Sequence, residues 1–370
     1  MVDDRGSSHP QTEQGPSVLL YIGCYTNDSS VGIHVHDWSD PAAGPVELSG
    51  FDDIEHPSFL AAHPRGAVLY AVSETARLEG GSVTALRIDP VDGSLTTIDR
   101  VSSHGGAPCH VSVDADGGHL YVANYASGTV AAYALEPDGR FGEVIAVHQH
   151  HGSGPTGRQD GAHAHCIVPG PMGGSVYAAD LGTDCVYRYL HDRDHDGETF
   201  ALINELRLEA GAGPRQLAFH PELPVGFLIC ELDSTIVTLD LDPVDGRLTR
   251  RAVTSTLPDD TGTESIAAEV RVHPTGRYVY ASNRGHDSIA VFAFAGPGKP
   301  LEPLGYVDSG GRTPRSFAVH PSGRALLVAN QNSNTVVPFD IDVATGMPRR
   351  VHGTCDASEP VCLTVVEVER

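Results

Sequence analysis

The sequence predicts an all-β fold, a seven-bladed β-propeller closed by pairing of its N- and C-terminal strands in one blade. Three observations lead to this prediction. The chain has an internal repeat of about fifty residues, short apolar strands separated by turn motifs, and an incomplete repeat unit at each end.

The repeat is clearest in one apolar strand of each unit. The second residues of these strands, which we call the anchors, are 47 to 56 residues apart. A period near fifty with about four short strands per unit is typical of a propeller blade and not of a helical solenoid. The anchors are Tyr21, Tyr70, Tyr121, Tyr177, Leu228, Tyr280 and Leu327.

Turn motifs recur at fixed places between the strands. HPRG at His63–Gly66, HPTG at His273–Gly276 and HPSG at His320–Gly323 join first strands to second strands, and DPVDG at Asp89–Gly93 and Asp242–Gly246 follows third strands. Proline fixes φ and glycine accepts positive φ, so both residues suit tight turns. No stretch has convincing helical periodicity, which favours an all-β chain.

The two chain ends hold complementary parts of one unit. The N-terminal unit begins with LLYIGCYT and lacks a first strand, whereas Pro360–Val368 is a first strand with nothing after it. Pairing of the two completes a seventh blade and removes open sheet edges. An eight-bladed ring and two β-sandwich domains fit the split unit less well. We expect one domain over residues 17–370, after a disordered tail over residues 1–16.

Composition limits the partners and the compartment. Lys and Arg number 24 against 48 Asp and Glu, a formal net charge of −24, which repels nucleic acids and anionic membranes. No run approaches the roughly 20 apolar residues of a membrane helix. The seven cysteines form no CxxC pair and the N-terminus carries no secretion signal. We therefore expect a cytoplasmic protein without structural disulfides, monomeric or weakly homo-oligomeric.

Equivalent positions in a propeller form rings around its axis, where ligand sites collect. We expect three such columns to line one mouth of the channel, although any single member could instead cap a turn or form a salt bridge between blades. The column three residues after the anchors reads Cys24, Ser73, Asn124, Asp180, Glu231, Asn283 and Asn330. The next column reads Tyr25, Glu74, Tyr125, Leu181, Leu232, Arg284 and Gln331. A first-strand column reads Phe59, His110, His165, Gln216, Glu269 and Ser316, with Arg215 and Arg315 each one residue earlier.

Two segments imitate metal sites. DRDHDG at Asp192–Gly197 is similar to the start of a calcium loop, but the position that an EF-hand gives to glutamate is Ile203 here. The histidines at His148–His151 fall in one loop after a third strand and lack the ligand set of a defined site. We therefore expect no metal. Without a GxSxG or phosphate-loop motif, we also expect neither a serine-hydrolase elbow nor a cofactor.

The order and spacing of eight segments resemble one family, the lactonase-type seven-bladed propellers. This family includes the propeller form of 6-phosphogluconolactonase and the fungal carboxymuconate lactonizing enzymes. The resemblance runs from about Leu19 to Val368, and its segments are YIGCYT (Tyr21–Thr26), NYASGTV (Asn124–Val130), HAH (His163–His165), ADLGTD (Ala179–Asp184), GAGPRQLAFHP (Gly211–Pro221), CELDSTI (Cys230–Ile236), SNRGHDSIAVF (Ser282–Phe292) and ANQNSNTV (Ala329–Val336).

The resemblance implies a catalytic set of His165, Arg215, Glu231 and Arg284. Gln216 departs from the pattern, because many relatives carry histidine there. Further side chains at the mouth are expected to bind substrate: His163, Asn283, Asp180, His110, Arg315 and Asn124.

The implied activity is hydrolysis of a small anionic lactone, most simply 6-phosphogluconolactone, without a cofactor. Carboxymuconate-type lactonization and a non-catalytic binding platform are the alternatives. Either Glu231 or His165 is expected to act as the base, and Arg215 and Arg284 are expected to stabilise the oxyanion or bind an anionic group. Because both arginines are expected to face the channel, we expect them to contribute little to thermal stability.

Overall fold

A computed structural model describes residues 17–27, 30–75, 80–192, 199–259 and 261–368. The strands form seven antiparallel sheets, so the predicted seven-bladed propeller is confirmed. The predicted tail at residues 1–16 and most of the calcium-like DRDHDG segment lie outside the described residues.

The strands follow one another in seven groups along the chain. The N-terminal group is β1 (Ser17–Cys24), β2 (Ile33–Asp37) and β3 (Val46–Phe51). The first blade is β4 (Leu60–Ala62), β5 (Val68–Ser73), β6 (Ser82–Ile88) and β7 (Leu95–Ser102). The second is β8 (Pro108–Val113), β9 (His119–Asn124), β10 (Thr129–Leu135) and β11 (Phe141–Gln149). The third is β12 (Ala164–Pro169), β13 (Ser175–Asp180), β14 (Cys185–Asp192) and β15 (Thr199–Arg207).

The remaining blades continue this order. The fourth is β16 (Pro214–Phe219), β17 (Val225–Cys230), β18 (Thr235–Leu241) and β19 (Leu248–Ser255). The fifth is β20 (Ile266–Val272), β21 (Tyr278–Arg284), β22 (Ser288–Ala293) and β23 (Glu302–Asp308). The sixth is β24 (Pro314–Val319), β25 (Ala325–Asn330), a short 3₁₀ helix (Gln331–Ser333), β26 (Thr335–Ile341), β27 (Pro348–Arg350) and β28 (Cys355–Asp356), before the C-terminal strand β29 (Pro360–Val368).

The ring closes through the chain ends, as the split unit predicts. Strand β29 pairs with β1 in antiparallel register from Ser17 opposite Val368 to Cys24 opposite Pro360. The closing blade therefore has the order β29-β1-β2-β3, with the C-terminal strand in the innermost position. Apolar side chains from this blade and the first blade form one buried cluster, which includes Leu19, Tyr21, Leu69, Leu86 and Val366.

Anchor tyrosines tie several blades to the next one. Four of them are buried and donate a hydrogen bond from the phenol to the carbonyl of a glycine in the following blade. The pairs are Tyr21 with Gly93 at 3.0 Å, Tyr70 with Gly139 at 2.9 Å, Tyr280 with Gly346 at 2.9 Å, and Tyr177 with Gly246. The repeat thus uses tyrosine because its ring fills the space between blades while its hydroxyl satisfies a turn carbonyl.

The histidines of the His-Pro turns form a second set of links between blades. Each accepts a backbone N–H of its own turn at Nδ1, which leaves the Nε2–H to donate to a carbonyl of the neighbouring blade. These links are His63 to Gly117 at 3.1 Å, His273 to Gly323 at 2.8 Å, and His320 to Trp38 at 3.0 Å.

All seven cysteines lie in the described residues and are free thiols, six of them buried. Their burial in apolar packing agrees with the role of a small hydrophobic side chain. In the described part of the chain no helix is long and apolar enough to cross a bilayer.

Candidate active site

A β-bulge at the start of the innermost strands aims side chains at the channel axis. The pairing register shifts between Pro214 and Gln216 in β16, and the same shift occurs in β8, β12, β24 and β29. A bulge bends its strand and redirects the extra side chain. The bulged residues are Cys109, His165, Arg215, Arg315 and Val361.

The register of the strands places His165 and Glu231 in columns other than those expected from the sequence. His165 shares the bulge ring with Arg215 and Arg315, and Cys166 takes the place equivalent to His110. In the second blade Pro108 pairs with Asn124, which lies three residues after the anchor Tyr121. The equivalent Pro214 of the fourth blade pairs with Cys230, so the anchor of that blade is Phe227 and not Leu228. Glu231 therefore belongs to the ring that contains Glu74, Tyr125 and Arg284. We call this ring of residues, together with the side chains that contact it, the channel mouth.

Glu231 is the centre of the charged cluster at the mouth. Its side chain is only 2% exposed and forms ion pairs with three arginines. Oε2 lies 2.9 Å from Nε of Arg215 and 2.7 Å from Arg284, while Oε1 lies 2.9 Å from Arg158. Arg215 and Arg284 also donate to the carbonyls of Ala268 and Ala267. The cluster holds three positive charges and one negative charge, which leaves an excess of two positive charges.

The electrostatics of this cluster fix its protonation. Burial by itself raises the pKa of the Glu231 carboxyl, but Arg284, Arg215, His165 and Arg158 outweigh burial and hold that pKa well below its ordinary range. Burial lowers the pKa of Arg284 to about 10, against the opposing effect of Glu231. The Glu231 carboxylate and the Arg284 guanidinium are consequently both charged at neutral pH.

His165 lies beside this cluster in the neutral form. Burial, together with the charges of Arg215 and Arg315, holds the pKa of His165 well below 6.5, and Glu231 opposes the shift only partly. Its ring stands edge-on to Tyr125, with centroids 5.6 Å apart. Its Nδ1 lies 3.9 Å from the Cys109 sulfur. The burial of that thiol raises its pKa well above the ordinary value, so Cys109 is not an activated nucleophile.

A second, looser ion pair occupies the mouth on the side of the first and sixth blades. Arg315 lies 3.9 Å from Glu74 and its guanidinium is stacked 5.2 Å from the centroid of Tyr25. The Tyr25 hydroxyl donates to Glu74 at 2.9 Å. This pair is electrically balanced, so the excess positive charge stays with the Glu231 cluster.

Below the mouth the channel narrows to a cavity of about 20 Å³, enough for about one water molecule. His110, Gln216 and Glu269 line it together with His165 and Arg215. Burial, with Arg271 and Arg215, lowers the pKa of His110 to about 3, so this imidazole is neutral. The structure thus brings His110 of the expected substrate set close to the catalytic set.

Asn124, Asp180 and Asn283 are buried inside the blades and form hydrogen bonds there. Asn124 donates to the Ser103 carbonyl at 2.9 Å and Asn283 to the Thr256 carbonyl at 2.7 Å. Asp180 accepts three backbone N–H groups and lies 2.7 Å from the buried His150. Their observed role is to hold loops, and their contact with substrate stays a prediction.

His163 lies at the mouth, on the loop before β12. Its ring stacks on Tyr125 at 4.6 Å, and its Nδ1 donates to the Tyr125 carbonyl at 2.9 Å. The backbone N–H of His163 is held by Asp180. Asp180 thereby positions His163 at the mouth, although Asp180 itself is buried inside the blade.

The histidines expected not to form a metal site are used in different ways. His148 Nε2 donates to the Phe200 carbonyl at 2.7 Å, whereas His150 contacts Asp180 and Tyr189. In the described chain, one group of potential ligands lies close together, namely Asp114, Asp116 and His119. It occupies the turn between β8 and β9, where Asp114 accepts the N–H groups of Gly118 and His119, and it is not part of the mouth.

Sequence reasoning missed Arg158. This residue lies in the loop between β11 and β12, outside the repeated strands, so no column contains it. Its side chain is 51% exposed and donates both to Glu231 and, at 3.2 Å, to the Tyr125 hydroxyl. The signal available in the sequence was an arginine near HAH in a long loop.

Comparisons with known proteins agree with the fold. The family described as "Lactonase, 7-bladed beta-propeller" matches residues 19–365. A 6-phosphogluconolactonase of Bacillus subtilis is 33% identical over 343 residues, 93% of this chain and 97% of the relative.

Solved structures give the same result. One of a putative 6-phosphogluconolactonase from Bacteroides fragilis superposes with a TM-score of 0.88 at 27% identity, covering 97% of this chain and 100% of that one. The periplasmic gluconolactonase of Pseudomonas aeruginosa has a TM-score of 0.86 at 29% identity, covering 95% and 100%. The chain belongs to the lactonase family of seven-bladed β-propellers.

Proposed function

We propose that this protein hydrolyses a small anionic lactone, most simply 6-phosphogluconolactone to 6-phosphogluconate. The observation that carries the proposal is the excess positive charge of the Glu231 cluster beside a neutral histidine. In a chain with a net charge of −24, three arginines at one channel mouth support the binding of an anion there. The family membership supports the same reaction class.

In the proposed reaction His165 acts as the base. A neutral imidazole accepts a proton from water as the water attacks the lactone carbonyl, and arginine side chains stabilise the oxyanion that forms. When the ring C–O bond breaks, the imidazolium returns the proton to the leaving alkoxide, which gives the hydroxy acid. The surrounding arginines destabilise the imidazolium and so favour this return.

Glu231 has a different role in this mechanism. A carboxylate with such a low pKa and three arginine partners is a poor proton acceptor. We infer that Glu231 positions Arg215 and Arg284 in the channel. This role corresponds to the alternative that the sequence leaves open for such a residue, namely a salt bridge between blades. Of the two residues that the sequence offers as the base, Glu231 and His165, we therefore assign this role to His165.

The test is a panel of phosphorylated sugar lactones, unphosphorylated sugar lactones and muconate lactones, followed by acid release after subtraction of the spontaneous rate. We expect the phosphorylated lactone to have the highest kcat/KM. His165→Asn should lower kcat by about a hundredfold or more. The matched control is His151→Asn, a change at an exposed histidine in the loop that contains Arg158, and it should retain full activity.

If no lactone opens faster than in buffer, the proposed function is wrong. If a muconate lactone is instead formed or opened best, the lactonizing alternative takes its place.

A further inference from the structure

The three arginines on Glu231 differ in how firmly they are held. Arg215 is 8% exposed and Arg284 11%, and each is also bound to a backbone carbonyl. Arg158 is 51% exposed, and its other partner is the Tyr125 hydroxyl. Arg158 is therefore the arginine of this cluster that can reach a ligand entering from solvent.

The geometry at Glu231 also lets Arg158 change partner without removing every counter-charge from the carboxylate. Arg158 uses Oε1, while Arg215 and Arg284 share Oε2. If Arg158 moves to a ligand, the buried carboxylate keeps two ion pairs and is not left uncompensated. Loss of either buried arginine would instead remove a partner that solvent cannot replace.

The loop holds Arg158 in position without covering it. The next residue, Gln159, is fully buried and donates to the Leu181 carbonyl at 2.9 Å and to Asp184 at 2.7 Å. Asp184 in turn accepts the N–H of Gly213, at the start of the strand that carries Arg215. One buried amide thus links the Arg158 loop to the third and fourth blades.

We propose that Arg158 is a specificity residue, which binds the anionic substituent of the substrate that lies away from the lactone carbonyl. The inference rests on the proposed function, and it adds which residue selects a charged lactone over its uncharged analogue. Arg158 exchanges Glu231 Oε1 for a phosphate or carboxylate oxygen, and Arg215 and Arg284 stay on the carbonyl side of the site.

The experiment compares Arg158→Gln with wild type on 6-phosphogluconolactone and on glucono-lactone. A hydrogen bond between charged groups corresponds to a factor of about 10 to 100, so kcat/KM for the phosphorylated substrate should fall by about that much more than for the unphosphorylated one. Arg158→Lys should give an intermediate loss. The control is Arg312→Gln, an exposed arginine on the same face that contacts the Asn332 carbonyl, and it should leave both rates unchanged.

Binding of the product separates this inference from the proposed function. Titration calorimetry with 6-phosphogluconate and with gluconate needs no turnover, so it tests Arg158 even if the protein opens no lactone. Wild type should prefer 6-phosphogluconate, and Arg158→Gln should lose that preference. The assignment would be overturned if Arg158→Gln lowered kcat/KM equally for both lactones, or if the variant still bound 6-phosphogluconate in preference to gluconate.

Discussion

At the scale of single residues, the site depends on one buried carboxylate that three arginines neutralise. Removing the Glu231 charge leaves Arg215 and Arg284 in a poorly solvated place without their partner. Because of these ion pairs we expect both arginines to contribute to stability, whereas the sequence alone predicts that they contribute little.

We therefore predict that Glu231→Gln lowers the free energy of unfolding by about 3–5 kcal/mol at pH 7, because breaking a buried ion pair leaves an unpaired charge. The pKa of Glu231 is depressed in the folded state, so its contribution is complete above the unfolded value of about 4.3 and is lost as pH falls through the folded value. Denaturant unfolding of both proteins between pH 7 and pH 3 measures this. A stability difference that grows toward acid pH would contradict it.

The histidine gives a second prediction at this scale. Because burial, Arg215 and Arg315 lower the pKa of His165, the acid limb of kcat/KM should lie well below the ordinary histidine value of about 6.5. Arg315→Gln removes one positive charge and should move the limb to higher pH. Arg312→Gln should not move it. An acid limb that stays in place in Arg315→Gln would exclude His165 as the group that it reports.

At the scale of the repeated element, the turns do more than reverse the chain. Gly276 in the HPTG turn has φ +72°, and a Cβ there would lie 2.2 Å from Nε2 of His220 in the preceding blade. Gly173 has the same φ, but a Cβ there would meet nothing within 4 Å. The two glycines have the same positive φ, but only Gly276 lies in close contact with a side chain of the neighbouring blade.

This pair predicts the energetic weight of the contact. Gly276→Ala should lower the free energy of unfolding by about 1–3 kcal/mol more than Gly173→Ala, since only the former pushes a side chain into the buried imidazole. Thermal or denaturant unfolding of the two variants gives the comparison directly. Equal losses would mean that the blades move apart freely at this turn.

The same elements explain how far sequence reasoning reaches. The period and the apolar anchor strands predict the blades, because they are local patterns that recur in every unit, and the one split unit predicts the closure. The sequence predicts that Asn124, Asp180 and Asn283 line the mouth, because equal position in a repeat defines depth but not side-chain direction. Hydrogen bonds to loop backbone groups hold these side chains inside the blades, with carbonyls accepting from the two asparagines and N–H groups donating to Asp180. The one-residue shift in the fourth blade places Glu231 in the channel mouth instead.

At the scale of the whole molecule, the site is assembled from four consecutive blades. His165 comes from the third blade, Arg215 and Glu231 from the fourth, Arg284 from the fifth and Arg315 from the sixth. Each blade delivers its residue through the same bulge or strand end. Closure by β29 and β1 then fixes the spacing across the mouth.

The overall charge and the local charge act in opposite directions on an anionic substrate. The molecule carries −24, whereas the Glu231 cluster has an excess of two positive charges. Raising the ionic strength from about 0.01 M to about 0.15 M shortens the screening length from about 30 Å to about 8 Å. This screens the distant carboxylates more than the arginines that touch the substrate.

We therefore predict that kcat/KM for a phosphorylated lactone rises severalfold over this range of ionic strength, while kcat/KM for its unphosphorylated analogue stays constant. Steady-state rates in sodium chloride at fixed pH measure both, and the neutral substrate controls for general effects of salt on the protein. A steady fall for the phosphorylated lactone would mean that the arginines also attract it from a distance, as happens when a charged cleft focuses the field of the whole protein. The sign of the salt effect thus decides whether the mouth acts on the substrate only at contact or already during its approach.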